Sequence, residues 1–295
     1  MYFLFLSILL NAFISVIFGY FRKYNIDNFQ AIVFNYGVCI LTGSLVLGEF
    51  PVTASVVHEP YFKWSVLMGV LFISVFNLIA YSSQKVGVTI TQTANRLYLV
   101  IPVALSVFLY GDQISVLKIA GIVVAILAVI LVSSNEKEAG AHKLSILEIL
   151  LPFILFVSSG IIDSLTKYVQ NTYLVNESLS NIYLILGFGI AFVLGFVFLS
   201  FLLFTGRKKF NIRNVIAGIC LGVPNYFSIY FLVKALQSPA MSSSATIPIN
   251  NIGVLLVVSL FGIMVFKERL SKKNYMGLGL TLLAIFLIYL GDKAA

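Results

Sequence analysis

The residue with the clearest chemical potential is Arg96, which lies in the otherwise uncharged run TQTANRLYLVIPV. A guanidinium presents a rigid fork of donors that matches a carboxylate or a phosphate. Amides accompany it: Asn95 comes directly before Arg96, and Asn250 and Asn251 lie in a later apolar run. These residue types predict a binding site for a small molecule with an anionic or polar end. The alternative is structural, because a long arginine can reach a polar boundary and amides can tie helices together.

A second candidate group combines an acid with a base. Asp163 and Lys167 are four residues apart, so they share one face of a helix. They either form an internal ion pair or provide a carboxylate that takes and releases a proton during a reaction cycle. Tyr81 and Tyr230 are further candidate contacts for the small molecule, although aromatic residues in such a chain mostly serve packing.

The sequence gives little support for catalysis. The two histidines, His58 and His142, lie in separate loops, and no serine or cysteine has a basic partner that would activate it as a nucleophile. Cys39 and Cys220 fall in apolar runs without metal-type spacing, and we interpret them as small packing residues. We therefore expect no enzyme activity, no metal site and no cofactor.

The elements that position these residues must lie in a bilayer. The chain has 295 residues, of which 60% are hydrophobic and 10% charged, and its mean hydropathy is +1.03. Apolar windows long enough to cross a hydrocarbon core about 30 Å thick can be located along it. They lie near 3–21, 29–48, 62–84, 89–110, 116–134, 147–168, 179–204, 213–235, 240–266 and 272–290. The windows lack the alternation of a membrane barrel, so the predicted fold is an all-α polytopic membrane protein with ten transmembrane helices.

The chain also repeats itself. YSSQK, which begins at Tyr81, aligns with YFLVK, which begins at Tyr230, and Asn95 aligns with Asn251. The turn YGDQIS before the fifth window resembles FKERLS before the tenth, with an acid and a serine in the same order. These matches divide the chain into two five-helix repeats, 1–135 and 145–295, joined by the polar segment NEKEAGAHK.

An odd number of crossings has a consequence for the second repeat. It must enter the membrane from the opposite side, so the two repeats are inverted. Inverted repeats are typical of secondary transporters, in which the substrate site lies between the halves and access alternates between the two sides.

The combination resembles the EamA-type transporters of the drug/metabolite transporter (DMT) superfamily. The resemblance rests on two five-helix halves, the GDQIS and KERLS turns, and lysines that end the first and third helices of each half. The chain departs from the pattern at Asp112, where glutamate is usual, and at Lys267, where glycine is usual. The resemblance implies a multi-pass transporter of small metabolites in the bacterial inner membrane. It also implies a cavity between helices 1, 3, 4, 6, 8 and 9, and transport that is often outward and proton-driven.

The expected function is therefore export of an amino-acid-like or other polar metabolite by alternating access. Import of a sugar or nucleotide sugar is the second interpretation, and a channel or a structural membrane protein is the third. The expected partners are the small-molecule substrate and the lipid bilayer, and a monomer is compatible with this arrangement. The net charge of +8 does not indicate nucleic acid, because the basic residues gather in short loops between spans.

Two arguments about orientation disagree. Of the 19 basic residues, 13 lie on the side of the odd-numbered loops and 5 on the other side, and Arg96 lies within a span. Positive charge resists translocation, so this count places the odd loops in the cytoplasm and both termini outside. The family resemblance implies the opposite, with both termini inside.

Overall fold

The fold was obtained as a computed structural model, which describes residues 2–48, 50, 54–101, 115–133, 146–174, 177–236 and 243–293. These residues form helices and no strands. Ten α-helices follow one another in the described chain: α1 Tyr2–Lys23, α2 Asn28–Leu47, α3 Phe62–Lys85, α4 Val88–Arg96, α5 Val116–Ser133, α6 Ile146–Tyr173, α7 Glu177–Phe204, α8 Ile212–Leu236, α9 Ser243–Met264 and α10 Lys272–Lys293. Short 3-10 helices cover Ala54–His58 and Leu97–Leu99.

The predicted fold class is confirmed, and each apolar window contains a helix. Within the described residues, seven helices are long and apolar enough to cross a bilayer, namely α1, α2, α3, α7, α8, α9 and α10. α5 and α6 contribute shorter apolar stretches, Val116–Leu131 and Leu150–Thr166. The chain is therefore an all-α polytopic membrane protein, and the full count of ten spans is supported in part.

The fourth window differs from the prediction of one continuous helix over 89–110. α4 ends at Arg96, a 3-10 turn covers Leu97 to Leu99, and residues 100–101 are helical again. Residues 102–114, which include Pro102 and Asp112, lie outside the described residues. Pro224 and Pro248 lie inside α8 and α9 as expected, and Pro152 adds a further proline inside α6.

The helices group into two compact units, each built from segments of both predicted repeats. Unit 1 comprises Met1–Gly19, Leu78–Asp163 and Ser228–Ala295. Unit 2 comprises Tyr20–Asn77 and Ser164–Phe227. The repeat boundaries 1–135 and 145–295 concern the sequence and remain a prediction.

Unit 1 is held together chiefly by the packing of α5 against α10 and of α4 against α9. The core between α5 and α10 combines small residues such as Ala125 and Ala128 with Ile285 and Ile288. Gly121 lies so close to α10 that an added Cβ would approach the Ile288 side chain at 2.7 Å. Small residues let the two helix backbones approach, which is how membrane helices gain packing energy without a hydrophobic driving force.

Unit 2 uses the same principle between α2 and α8. A Cβ at Gly222 would approach Val38 Cβ at 2.6 Å, so only glycine allows this contact. Beside it, Asn225 Nδ2 donates to Asn35 Oδ1 at 3.2 Å, and the Cys39 thiol donates to the Gly222 carbonyl at 3.4 Å. Neutral hydrogen bonds between buried groups thus reinforce the close helix contact.

Candidate functional site

The helix that carries Arg96 is fixed at its start by an acid from another part of the chain. The Glu268 carboxylate accepts hydrogen bonds from the backbone N–H groups of Val88 and Thr89, the latter at 3.0 Å. The first N–H groups of a helix have no partner within it, and a negative charge there also complements the helix dipole. Gly87 precedes the helix with φ of 104°, a conformation that favours glycine.

This contact gives a structural role to the acid in the second of the two similar turns, KERLS. Glu268 belongs to the KERLS turn between α9 and α10, so the turn joins the end of α9 to the beginning of α4. Gly262 of α9 lies against the Thr89 side chain, and a larger residue there would collide with it. The acid therefore has a structural role in setting where α4 begins. The matching acid, Asp112, lies outside the described residues.

Arg96, the last residue of α4, is the centre of a buried polar cluster in unit 1. Its side chain is 8% exposed. Nη1 donates to Asn251 Oδ1 of α9 at 3.1 Å, and Nη2 donates to Asn11 Oδ1 of α1 at 3.2 Å. Among the described residues no carboxylate lies within ion-pair distance of the guanidinium. Within the described residues, neutral amide oxygens are therefore the hydrogen-bond partners of this buried positive charge.

Several polar atoms on α4 and α9, the helices that carry Arg96 and Asn251, have no hydrogen-bond partner within the described part of the chain. They include two donors, Arg96 Nε and Asn251 Nδ2, and two acceptors, Asn250 Oδ1 and Gln92 Oε1. A buried polar group without a partner costs about 1–3 kcal/mol, and an uncompensated charge costs more. A ligand that supplies the missing partners would lower the free-energy cost of burying these atoms.

Tyr98 connects the cluster to the candidate acid. The Tyr98 phenol, two residues beyond Arg96, lies within electrostatic range of both Arg96 and Asp163. Asp163 is half-buried on α6 and has interactions of its own. The Lys167 side chain lies outside the described residues, so the proposed pairing of Asp163 with Lys167 stays a prediction.

The structure separates the two asparagines that the repeat aligns. Asn251 bonds to Arg96, whereas Asn95 is half-buried and its Oδ1 accepts a hydrogen bond from Ser159 Oγ at 2.6 Å. Arg96, rather than its neighbour Asn95, therefore contacts Asn251, the residue that aligns with Asn95 in the second repeat. Asn250 is buried beside Asn251, 2% exposed.

Tyr81 and Tyr230 pair with lysines near the ends of their helices. The Lys85 ammonium lies 5.8 Å from the Tyr81 ring centroid, and the Lys234 ammonium lies 5.7 Å from that of Tyr230. The two aligned motifs therefore make the same cation–π contact, which is worth about 0.5–1 kcal/mol where it is exposed. This is the anchoring role that aromatic and basic residues commonly have at span ends.

Asn11 is the residue of the cluster that sequence reasoning missed. It is an amide within the first apolar window, four residues from Ser7 and Ser15, so three polar residues lie on one helical face. That stripe was the available signal. Within the described residues, no group of three or more histidine, cysteine, aspartate or glutamate side chains could hold a metal ion.

Comparison with known proteins gives the family. The model of the EamA-like transporter family matches residues 3–134. An uncharacterized protein of Haemophilus influenzae is 31% identical over 294 residues, covering 97% of each chain. The chain belongs to the EamA-like transporter family. A solved crystal structure with 14% identity and a TM-score of 0.61 covers 99% of this chain and 97% of its own, and it shows the fold alone.

Membership in the EamA family defines the general activity. The family belongs to the DMT superfamily, and its members are transporters rather than enzymes. Together with the apolar helices, this makes the chain a multi-pass membrane transporter. The resemblance inferred from the turns and lysines is thereby confirmed.

Proposed function

We propose that this EamA-family protein is a secondary transporter that exports an amino-acid-like metabolite across the bacterial inner membrane and binds its carboxylate at Arg96. The observation that carries the proposal is the buried guanidinium with neutral amide partners and no carboxylate among the described residues. Ionisable groups inside a membrane protein are expensive and usually serve function. An anionic substrate end would supply the counter-charge.

The unpartnered atoms support this class of substrate. Arg96 Nε and Asn251 Nδ2 are free donors for a carboxylate, while Asn250 Oδ1 and Gln92 Oε1 are free acceptors for an ammonium or hydroxyl group. An α-amino acid carries both kinds of group on one carbon. The cluster therefore suits a zwitterion better than a neutral sugar, which has no charge to offer the guanidinium.

Proton coupling is assigned to Asp163 in this proposal. The carboxylate lies within electrostatic range of Tyr98, and the Tyr98 phenol lies within electrostatic range of Arg96. A change in the charge of Asp163 would thus reach the binding cluster through the Tyr98 phenol. A proton taken up by Asp163 removes its negative charge, and this change near the Arg96 guanidinium would link proton uptake to release of the substrate.

The test begins with identification of the cargo. Untargeted metabolite profiling of cells with and without the protein should show the compound that accumulates when export is lost. That compound is then used for counterflow in proteoliposomes, where a carrier saturates and a channel does not. Saturable counterflow of a zwitterionic or carboxylate-bearing compound is expected. Transport of a compound without an anionic group, at a rate insensitive to Arg96→Gln, would contradict the proposal.

The effect of Arg96→Gln follows from the loss of charge-assisted hydrogen bonds, each worth about 1.5–3 kcal/mol. Apparent affinity should fall by roughly tenfold to a hundredfold. Arg96→Lys should rescue only part of it, because an ammonium lacks the guanidinium fork. Detergent-solubilised protein of normal yield and elution volume is the control that both variants fold.

A further inference from the structure

An apolar groove of about 800 Å³ lies in unit 2, and the substrate site does not use it. Four helices line it. α2 contributes positions three and four residues apart, from Phe34 to Leu41, and α7 does the same from Leu186 to Leu194. α3 and α8 close the sides through residues that include Val66, Val215 and Ile219. The lining is almost wholly hydrocarbon, so the groove suits an apolar occupant.

The groove remains open in the folded chain. Leu41 is 64% exposed, Val193 57% and Ile219 48%. Gly189 of α7 lines it, and an added Cβ there would meet nothing within 4 Å. A cavity in the hydrocarbon belt contains no water, so an acyl chain or a protein side chain has to fill this space.

A basic loop lies at one end of the groove. Phe34, which lines the groove, contacts the Phe210 ring with centroids 6.4 Å apart, and Val215 lies five residues beyond Phe210. The loop around Phe210 carries four basic residues: Arg207, Lys208, Lys209 and Arg213. Lys208 is paired with Asp27, whereas Arg207, Lys209 and Arg213 are exposed and have no carboxylate partner among the described residues.

This loop is held in place by hydrogen bonds to the start of α2. Gln30 Nε2 donates to the Lys209 carbonyl at 3.1 Å, and Gln30 Oε1 accepts from the Asn211 N–H at 3.0 Å and from Asn214 Nδ2 at 2.9 Å. The basic side chains are therefore presented from a fixed backbone beside the groove. Clusters of basic residues at a membrane surface attract anionic lipid headgroups.

We propose that unit 2 holds an anionic phospholipid, with its acyl chains in the groove and its phosphate-bearing headgroup against Arg207, Lys209 and Arg213. Both the shape and the charge of the site select this occupant, since the apolar lining requires hydrocarbon and the unpaired cations at its end require an anion. A neutral phospholipid satisfies the first condition alone. A second copy of this chain would bring a like-charged loop to the same place. This proposal does not depend on the transported cargo.

The first experiment measures lipid retention by the purified, delipidated full-length protein. Native mass spectrometry is used to titrate dioleoyl phosphatidylglycerol and dioleoyl phosphatidylcholine, which share acyl chains and differ in headgroup charge. The wild-type protein should retain one phosphatidylglycerol at a concentration about tenfold or more below that needed for phosphatidylcholine. Equal retention of both lipids would overturn the anionic proposal, and a dimer in place of a lipid adduct would overturn it in favour of a protein interface.

Two pairs of variants locate the site. Gly189→Leu places a side chain in the groove at a position where an added Cβ meets nothing within 4 Å, and it should abolish preferential lipid retention, while Gly279→Leu, at an exposed glycine of α10 with an equally open Cβ position, should leave it unchanged. The triple variant R207Q/K209Q/R213Q should lose headgroup selectivity by roughly tenfold to a hundredfold and keep the weaker binding of phosphatidylcholine.

The matched charge control is K267Q/R269Q/K272Q, which removes three positive charges from the loop between α9 and α10 and from the first residue of α10. If this control loses as much selectivity as R207Q/K209Q/R213Q, the effect is one of overall charge and the proposed site is wrong. If Gly189→Leu retains phosphatidylglycerol as the wild type does, the groove is not the acyl-chain site. A melting temperature that matches the wild type in each variant, measured without added lipid, confirms that the proteins compared are folded.

Discussion

Gln30 in unit 2 and Arg96 in unit 1 are both buried polar side chains, and burying such a side chain costs free energy. The two differ in whether all their polar atoms have hydrogen-bond partners. Gln30 is neutral and fully buried, and both its amide nitrogen and its amide oxygen have partners. Arg96 is charged and nearly buried, yet its Nε and the neighbouring Asn251 Nδ2 have no partner among the described residues. A satisfied network rigidifies a protein, whereas an incomplete one costs free energy unless a ligand completes it. By this comparison Gln30 belongs to a structural hydrogen-bond network, whereas we propose that Arg96 belongs to a binding site.

The largest expected effect comes from Asp163→Asn, which removes the carboxylate assigned to coupling. Proton-driven accumulation of substrate in proteoliposomes should be abolished, because the amide cannot change its charge. Exchange of labelled for unlabelled substrate without a gradient should remain nearly intact. Full retention of gradient-driven transport would retire the coupling role and leave Asp163 as a structural partner of Tyr98.

Gln30→Met should break the hydrogen-bond network that joins the start of α2 to the loop around Phe210. The substitution preserves length but leaves Asn211 N–H, Asn214 Nδ2 and the Lys209 carbonyl without their partner, so we expect a loss of about 1–3 kcal/mol in the free energy of unfolding. A lower melting temperature with an unchanged KM for transport is the expected pair of results. If KM rises as much as in Arg96→Gln, the distinction between the two networks fails.

A smaller effect is expected from Glu268→Gln. The amide oxygen can still accept one N–H of Val88 or Thr89, but the negative charge at the start of α4 is lost, which costs about 0.3–1 kcal/mol. Glu268→Ala removes the cap altogether and should cost about 0.5–2 kcal/mol. Thermal denaturation of the wild type, Glu268→Gln and Glu268→Ala in the same detergent gives the order of their stabilities. An alanine variant as stable as the wild type would show that the cap does not hold α4.

The orientation of the chain decides which side of the membrane Gln30 and the basic loop around Phe210 face. Cysteine labelling measures this orientation, and we expect no loss of transport activity in the labelled variants. In a Cys220→Ser background, Thr205→Cys reports the loop between α7 and α8, and His58→Cys reports the loop between α2 and α3. The charge count predicts that an impermeant thiol reagent modifies position 58 in intact cells and leaves position 205 unmodified. The reverse pattern would support the orientation implied by the family.

The sequence was sufficient for the fold class because apolar windows of membrane length are explicit in the chain. Windows such as 29–48 and 213–235 coincide with α2 and α8 to within one residue at each end. The end of α4 at Arg96 was not predictable, since TQTANRLYLV contains no proline or glycine that would stop a helix. The division into two units also escaped prediction, because it depends on which helices pack and not on their order along the chain.

The candidate site was predicted in part. Arg96 stood out because a charge in an apolar run is rare, and Asn251 stood out through the repeat. Its pairing with Arg96 rather than with Asn95 depends on helix rotation, which a single sequence does not specify. Asn11 was missed because one amide in an apolar helix is an ambiguous signal until its partner is known.

Comparison of a carboxylate with its neutral analogue tests whether the Arg96 guanidinium binds the anionic end of the substrate. Competition by the identified substrate and by its carboxamide is measured in counterflow for the wild type and for Arg96→Gln. The wild type should prefer the carboxylate by roughly tenfold to a hundredfold, and the variant should lose that preference, since one charge-assisted contact is removed in both cases. A preference for the carboxylate that persists undiminished in a folded Arg96→Gln protein would contradict the account.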